Sequence, residues 1–320
     1  MLYDAGIIKS KKASIKTIVV GNLAVGGTGK TPHVIWLANE LSETKKVAIL
    51  SRGYKRKTKG FRWVRIDDHP SLSGDEPLEI KTSLPNIPVA IDSNRLRGIN
   101  RIKNELDIEP DFIILDDGFQ HRKLTPDFAI ILSHANRPYY SDSLLPAGRL
   151  REAASSIKRA NVLIITNTTT ESLEEIRQNK KRYMLSEDQN LFTSSFIYPD
   201  ITPVTKEAYG MKPDLADSVL LISGIARPEG LENQWAAGIP HIIISYPDHH
   251  NYSDSDVTFI LSKFEEMEGN NKILVTTGKD AVKLKQFPQI CEKPVYIQNR
   301  QTIFDDEQKE QLLESILNHG

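Results

Sequence analysis

The sequence predicts an α/β protein: a P-loop-containing α/β/α sandwich followed by a second, smaller α/β domain. Three observations carry that expectation. Residues 17–20 form a β-favouring run that enters a glycine-rich loop, then Lys30-Thr31, then an apolar helical face. Short β-rich runs alternate with helical patterns after it, the layout of a parallel sheet covered by helices. Near Gln189 the alternation breaks, and it starts afresh some thirty residues later.

The elements follow in order. Strands are expected at 16–20, 47–51, 88–91, 112–115, 128–132 and 162–166, and helices at 32–43, 95–105 and 173–180. Each strand is short and apolar, as strands buried on both faces are. The stretch LFTSSFIYPDITPV (191–204) holds two prolines and reads as an extended connection. The second block has strands at 219–222, 241–244 and 273–276 and helices at 229–237 and 254–268. An extended run, VYIQN (295–299), leads to a last helix at 305–318. The expected division is a nucleotide domain (1–190), an extended hinge or crossover (191–217) and a smaller domain (218–304), with the last helix, 305–320, returning to the first domain. A chain of 320 residues fits two domains on a prior of about 100–200 residues each.

Composition removes several function classes. A net charge of −1 leaves no global basic footprint, so no nucleic-acid partner is expected. No apolar run is long enough for a transmembrane helix, and no signal-peptide pattern is present. The single cysteine, Cys291, excludes an internal disulfide. The expected location is the cytosol or the cytosolic face of a membrane. Two basic clusters stand out, one at Lys9, Lys11, Lys12 and Lys16 and one at Lys55, Arg56, Lys57, Lys59 and Arg62. Such clusters are ordinarily solvated surface; the alternative is a patch facing phosphate or anionic lipid.

The loop Ala24, Val25, Gly26, Gly27, Thr28, Gly29, Lys30, Thr31 carries the clearest chemistry. Glycines let backbone N–H groups close around phosphate oxygens, and a helix N-terminus favours negative charge. Lys30 is expected to reach the β- and γ-phosphates, and the Thr31 hydroxyl to hold Mg²⁺. Pro32 suits the first helical turn. Ala24 stands where the usual spacing has glycine. A dinucleotide fingerprint fits worse, because Pro32 falls where its third glycine belongs.

A second signal is DFIILDDGFQHRK. An apolar strand ends in Asp116-Asp117, and ligands of open parallel sheets sit off the carboxyl ends of strands. Asp-Gly is also a common turn, yet two adjacent carboxylates exceed what a turn requires. The metal reading is therefore favoured. In SLSGDEPLEI, Asp75 reads locally as a helix N-cap; the functional alternative is a carboxylate that accepts a hydroxyl proton. In SYPDHHNYSDSD, Asp248, His249 and His250 lie after an apolar strand. No third group at metal spacing is nearby, so His249 is either solvated or orients a base. In LLPAGRLRE, Arg151 could neutralise phosphoryl charge and Glu152 could join a metal shell; the plainer reading is a helix start.

Taken together and in order, GNLAVGGTGKTP, SRGYKRK, SGDEP, LDDGFQHRKL, LLPAGRLRE, SGIARPEG, PDHHNYSD and VTTGKDAVKL resemble the tetraacyldisaccharide 4'-kinase family. The resemblance runs from about Leu2 to beyond Lys283. It implies ATP-dependent phosphorylation of the 4'-hydroxyl of an acylated glucosamine disaccharide in lipid A biosynthesis, with ATP and Mg²⁺ as cofactors. It also implies two α/β/α domains joined by a short β hinge. By the same resemblance, Asp75 activates the hydroxyl and His249 partners it across the cleft. Lys30 stabilises the transferring charge. Thr31, Asp116, Asp117 and Glu152 surround Mg²⁺, and Gln120, His121 and Arg151 line the site. A small residue at Ala24 becomes expected. Members carry an apolar N-terminal segment ahead of the position of Leu2-Tyr3-Asp4, where this chain starts. Either the start codon is misassigned, or peripheral contact with the cytoplasmic face of the bacterial inner membrane uses other surfaces.

A different class remains open, a nucleotide-switched partition or assembly ATPase, whose loop is similar to GGTGKT. Those switches carry a signature lysine before the glycine pair, and Val25 stands there. A nucleotide-binding module without catalysis is the third reading. Arg227 and Lys279 fall inside family-like motifs with no local chemical argument. Asp75 and His249 belong to different expected domains, so their meeting would need the domains to close.

Overall fold

A computed structural model describes residues 3, 8–168, 176, 180–225, 228–235 and 238–319. The helix expected at 173–180 lies almost wholly outside the described residues, as does Arg227. The strands are β1 (Lys16–Asn22), β2 (Val47–Ser51), β3 (Arg62–Trp63), β4 (Val89–Ile91), β5 (Phe112–Asp116), β6 (Phe128–His134), β7 (Val162–Thr166) and β8 (Asn190–Ile197). They continue as β9 (Thr202–Pro203), β10 (Ser218–Ser223), β11 (His241–Ser245), β12 (Lys272–Thr276), β13 (Val295–Ile297) and β14 (Gln301–Ile303).

These strands make two sheets. The larger has nine strands in the order β14-β8-β7-β6-β1-β5-β2-β4-β3. It is parallel except at its edges, where β3 and β14 run antiparallel to their neighbours. The smaller has five strands in the order β11-β10-β12-β13-β9, antiparallel only at β9.

β1 is central because every residue after Lys16 is buried. Its side chains alternate between faces. Ile18 and Val20 pack with Val34, Leu37 and Leu41 of helix α1 (Lys30–Ser42). Val19 packs on the opposite face, in the cluster that holds Ile99 and Ile102 of a later helix. β1 pairs in register with β5 on one side and β6 on the other. The ends of β1 and β5 therefore emerge together, with Val20 opposite Asp116.

The expected extended connection turns out differently. Its first half is β8, a full strand parallel to β7, and only Thr202–Pro203 belongs to the smaller sheet. Thr193 and Ser194 are buried within β8, and this polar content reads as loop. Burial is tolerated because both are satisfied. Thr193 donates N–H and hydroxyl to Gln308 Oε1 at 2.9 and 3.1 Å, and Ser194 Oγ meets His33 Nε2 at 2.9 Å. Gln308 sits on the last helix, Asp306–Leu317, whose Leu312 and Ile316 join the α1 face of the larger sheet.

Two helices between β3 and β4 matter for the site, α2 (Pro70–Ser73) and α3 (Asp75–Ser83). Gly74 joins them at φ 92°, and a Cβ there would meet Tyr54 O at 3.0 Å. This glycine, not Asp75, is the N-cap of α3. α4 (Arg95–Glu105) then leads to β5.

Candidate functional site

The phosphate loop leaves the end of β1 and returns as α1. Gly29 caps α1 in the left-handed region at φ 84°, which side chains avoid. A Cβ there would also strike the Phe196 ring at 2.5 Å. The loop is braced from outside: Val25 N donates to Arg149 O at 2.8 Å, and Asn22 Nδ2 donates to Thr28 Oγ1 at 2.8 Å. Val25, Gly26, Gly27, Thr28, Gly29, Lys30 and Thr31 line a cavity of about 430 Å³. Ala24 lies one residue behind it, bridged to Leu150.

The carboxyl end of β5 supplies the acidic wall. Asp116 is buried and accepts a hydrogen bond from Ser51 Oγ at 2.8 Å. Burial, with Glu76 and Asp117 repelling it, pushes its carboxyl up to about 7. Asp117 adopts φ 49°, unusual for a residue with a Cβ. Burial works against its ionised form, but Arg151 and Lys30 outweigh that and hold it below the usual carboxylate range. Arg151 donates to both Asp117 oxygens, at 3.0 and 2.8 Å, and Lys30 Nζ stands 3.9 Å from Oδ1.

Glu152, Gln120 and His121 are placed otherwise than expected. None lines this cavity. Gln120 Nε2 donates to Asn22 O and to Glu152 Oε1, each at 2.9 Å. Arg159 binds the other Glu152 oxygen. The Glu152 charge is thus matched inside the protein, and the group braces the loop from behind. His121 is partly buried, and burial lowers its pKa. Among the described residues no cluster of three or more His, Cys, Asp or Glu is placed to hold a metal ion by itself.

The opposite wall comes from the smaller sheet. His249 sits in the loop after β11 at φ 60° and lines the cavity. Its Nδ1 meets Asp75 Oδ2 at 2.9 Å, across 174 positions of sequence. Burial raises the Asp75 pKa, yet the His249 hydrogen bond, then Lys279 and Lys283, more than reverse this and keep it ionised. An ionised carboxylate only accepts, so His249 Nδ1 carries the proton. Lys279 Nζ lies 3.3 Å from His249 Nε2 and 2.8 Å from Asp248 Oδ1.

Sequence reasoning passed over several of these groups. Lys279 and Lys283 lie on the helix Gly278–Leu284, opened by Thr277 accepting from Asp280 N. For Lys279 the signal was present: an apolar strand ending in Thr-Thr-Gly-Lys-Asp repeats the strand-end logic used for Asp116. Glu79, one turn beyond Asp75 on α3, also lines the cavity, and burial lifts its carboxyl to about 8.

Comparison with known proteins follows this geometry. A family profile described as LpxK, tetraacyldisaccharide-1-P 4'-kinase, matches residues 1–318. The chain belongs to that family. A tetraacyldisaccharide 4'-kinase of Flavobacterium psychrophilum is 39% identical over 89% of this chain and 82% of its own length. One of Phocaeicola vulgatus is 37% identical over 97% and 87%. The crystal structure of LpxK from Aquifex aeolicus in complex with ATP superposes with a TM-score of 0.74 at 30% identity, covering 99% of this chain and 92% of that one. Membership of the 4'-kinase family makes the fold that of a P-loop kinase.

Proposed function

We propose that this chain moves the γ-phosphoryl group of ATP to the 4'-hydroxyl of a tetraacylated glucosamine disaccharide 1-phosphate, a step of lipid A biosynthesis. One observation carries the reading beyond family membership: a carboxylate from the larger sheet's side, Asp75, is paired with a histidine from the smaller sheet, His249, beside a phosphate loop. A partition-type switch needs no such pair, and it would need a lysine where Val25 stands.

The chemistry divides among named groups. The loop amides and Lys30 hold the β- and γ-phosphates. As the sugar oxygen bonds to the γ-phosphorus, the bond to the β-bridging oxygen breaks and ADP leaves. Phosphoryl transfer passes through a loose transition state, so the hydroxyl becomes acidic only late. A strongly ionised Asp75 is adequate for that proton, and His249 keeps its free lone pair aimed. The donor set also suits Mg²⁺. Asp116 is a buried carboxylate whose charged form burial and the neighbouring Glu76 and Asp117 oppose, and Thr31 lines the same cavity. Mg²⁺ held by Thr31 with Asp116 or Asp117 would neutralise phosphate charge, and it needs few protein ligands when phosphates supply others.

The domain reading is part of this proposal. The nucleotide unit takes β1–β8, β14 and the last helix, and the smaller unit takes β9–β13. The units close to bring His249 onto Asp75. Contact with the inner-membrane surface is proposed through a groove of about 550 Å³ lined by Lys9, Lys11, Arg97, Arg101 and Lys123 with Ile8 and Leu96. Among the described residues its lining has no acidic side chain, which suits anionic headgroups, although Arg97 and Arg101 also pair with Asp92 and Glu105. Among the described residues no helix is long and apolar enough to cross a membrane.

ATP consumption measured with and without the acylated disaccharide tests the activity. The kinase reading expects ADP to form in step with phosphorylated acceptor. Acceptor-independent hydrolysis that responds to a protein or DNA partner would replace it with the switch.

A further inference from the structure

Behind the phosphate loop, on the face of α1 turned away from the cavity, stands a buried histidine. His33 is only 2% exposed, and both of its ring nitrogens are engaged. Nδ1 lies 2.7 Å from Gly29 O, and Nε2 lies 2.9 Å from Ser194 Oγ on β8. A carbonyl only accepts, so Nδ1 carries the proton. Burial pulls the pKa of the ring down to about 4, so the ring is neutral and Nε2 accepts from the Ser194 hydroxyl. The rings of Phe196 and Phe304 meet it edge-on, with centroids 5.6 and 6.0 Å away.

These bonds act on one peptide plane. Gly29 O also accepts from His33 N, at 3.2 Å, so His33 fills both lone pairs of that carbonyl. A trans peptide is planar, with its C=O and N–H opposed. Holding Gly29 O back along the helix therefore turns Lys30 N–H the other way, out of the helix start, where a phosphate oxygen would meet it. Glycine turns such a plane over more freely than any other residue, and Gly29 has no side chain to restrain it. The imidazole supplies that restraint, and its outer anchor is firm. Ser194 is buried in β8, which lies between β7 and β14. Phe196 of the same strand packs against Gly29, and Arg300, which lines the phosphate cavity, lies over the Phe196 ring at 3.9 Å.

We propose that His33 is a positioning residue for the phosphate grip: it ties the Gly29 carbonyl to β8 and so aims the Lys30 amide at the nucleotide phosphates. The inference rests on the phosphotransfer reading and deepens its nucleotide half. His33 touches no substrate. It acts through the Gly29–Lys30 peptide, and the Gly29 bond matters more to ATP than the Ser194 bond that steadies the ring.

Calorimetric titration with ATP and steady-state kinetics on the full chain test this. Two amides each keep one of the two ring bonds, because asparagine sets its amide nitrogen near the place of Nδ1 and glutamine sets its amide near that of Nε2. His33→Asn should hold the Kd for ATP within about twofold of the unsubstituted chain, since a donor to Gly29 O survives. His33→Gln and His33→Leu should raise the Kd and KM for ATP about threefold to tenfold, the span of one lost hydrogen bond, with the acceptor KM unmoved. A role in stability alone would lower the thermal midpoint in all three and leave the same Kd in the Asn and Gln variants, and that result overturns the proposal. If His33→Leu fails to fold, the two amides still decide. If they fail too, Ser194→Ala removes only the hydroxyl that steadies the ring. Its Kd for ATP should rise about twofold to threefold, and an unmoved Kd overturns the proposal instead. The unsubstituted chain separates the layers. No ATP binding there removes the phosphotransfer reading itself, whereas binding that the variants do not disturb removes only the role of His33.

Discussion

The phosphate loop and the Asp75–His249 pair adjoin, with His249 lining the loop's cavity, but are built in opposite ways. The loop is a single run of residues between a strand and a helix, and its glycines, Lys30 and Thr31 lie where local backbone geometry puts them. The pair joins two sheets, and neither member has a local reason to be chemical. Asp75 stands at the start of a helix, where acidic residues are ordinary. His249 stands in a loop. Only the 2.9 Å contact between them gives either a chemical setting. A phosphate grip is thus a property of a segment, whereas the carboxylate–histidine pair is a property of assembly.

Substitutions at the two regions should separate along that line. The largest effect is expected for Asp75→Ala. It should lower kcat by about a thousandfold, within the span for a lost proton acceptor, while ATP binding measured by calorimetry stays as it was. An undiminished kcat would dissolve the contrast, because the assembled region would then carry no chemistry. Lys30→Ala comes next. It should cost about a hundredfold in kcat and, unlike Asp75→Ala, weaken ATP binding in the same calorimetric assay.

A smaller effect concerns stability, and it has the opposite sign from loss of function. Asp116 has its folded pKa raised to about 7, above that of an unfolded aspartate. Such a group stabilises the fold fully below the unfolded value and loses that contribution as pH rises through about 7. Asp116→Asn should therefore raise the thermal midpoint of the metal-free protein above pH 7, by about 2–4 °C. It should leave the midpoint below about pH 3 unchanged, since the carboxyl is protonated there in both states. A lowered midpoint above pH 7 would mean that Asp116 is held by charges other than those described. Smallest in activity is Gln308→Ala. Thr193 would lose the acceptor for its buried N–H and hydroxyl, costing about 1–3 kcal/mol in denaturant unfolding, with kcat intact. That result would mark a long-range contact that is purely structural, unlike Asp75–His249.

The same contrast explains what was readable in advance. β1, β2, β5, β6 and β7 are apolar runs, and periodicity alone finds them. β8 was read as a connection because Thr193 and Ser194 lie inside it, and their partners Gln308 and His33 are remote in sequence. β3 has two residues and β14 three, too short to show alternation. The acidic pair after β5 was legible because a buried strand ending in two carboxylates is chemically odd. Glu152 looked equally available, and Arg159 claims it only in the folded chain. Lys283 had no legible signal: a lysine in a short helix is ordinary until folding sets it beside Asp75.

Residues 17–41 alone determined that this protein grips phosphate, because the grip is made of main-chain amides whose conformation glycine spacing dictates. The tertiary structure alone decided what stands beside that grip. A carboxylate, a histidine and two lysines meet there from segments far apart in the chain, and no local preference specifies a distance between them. Only the packing of the smaller sheet's loops against α3 sets it.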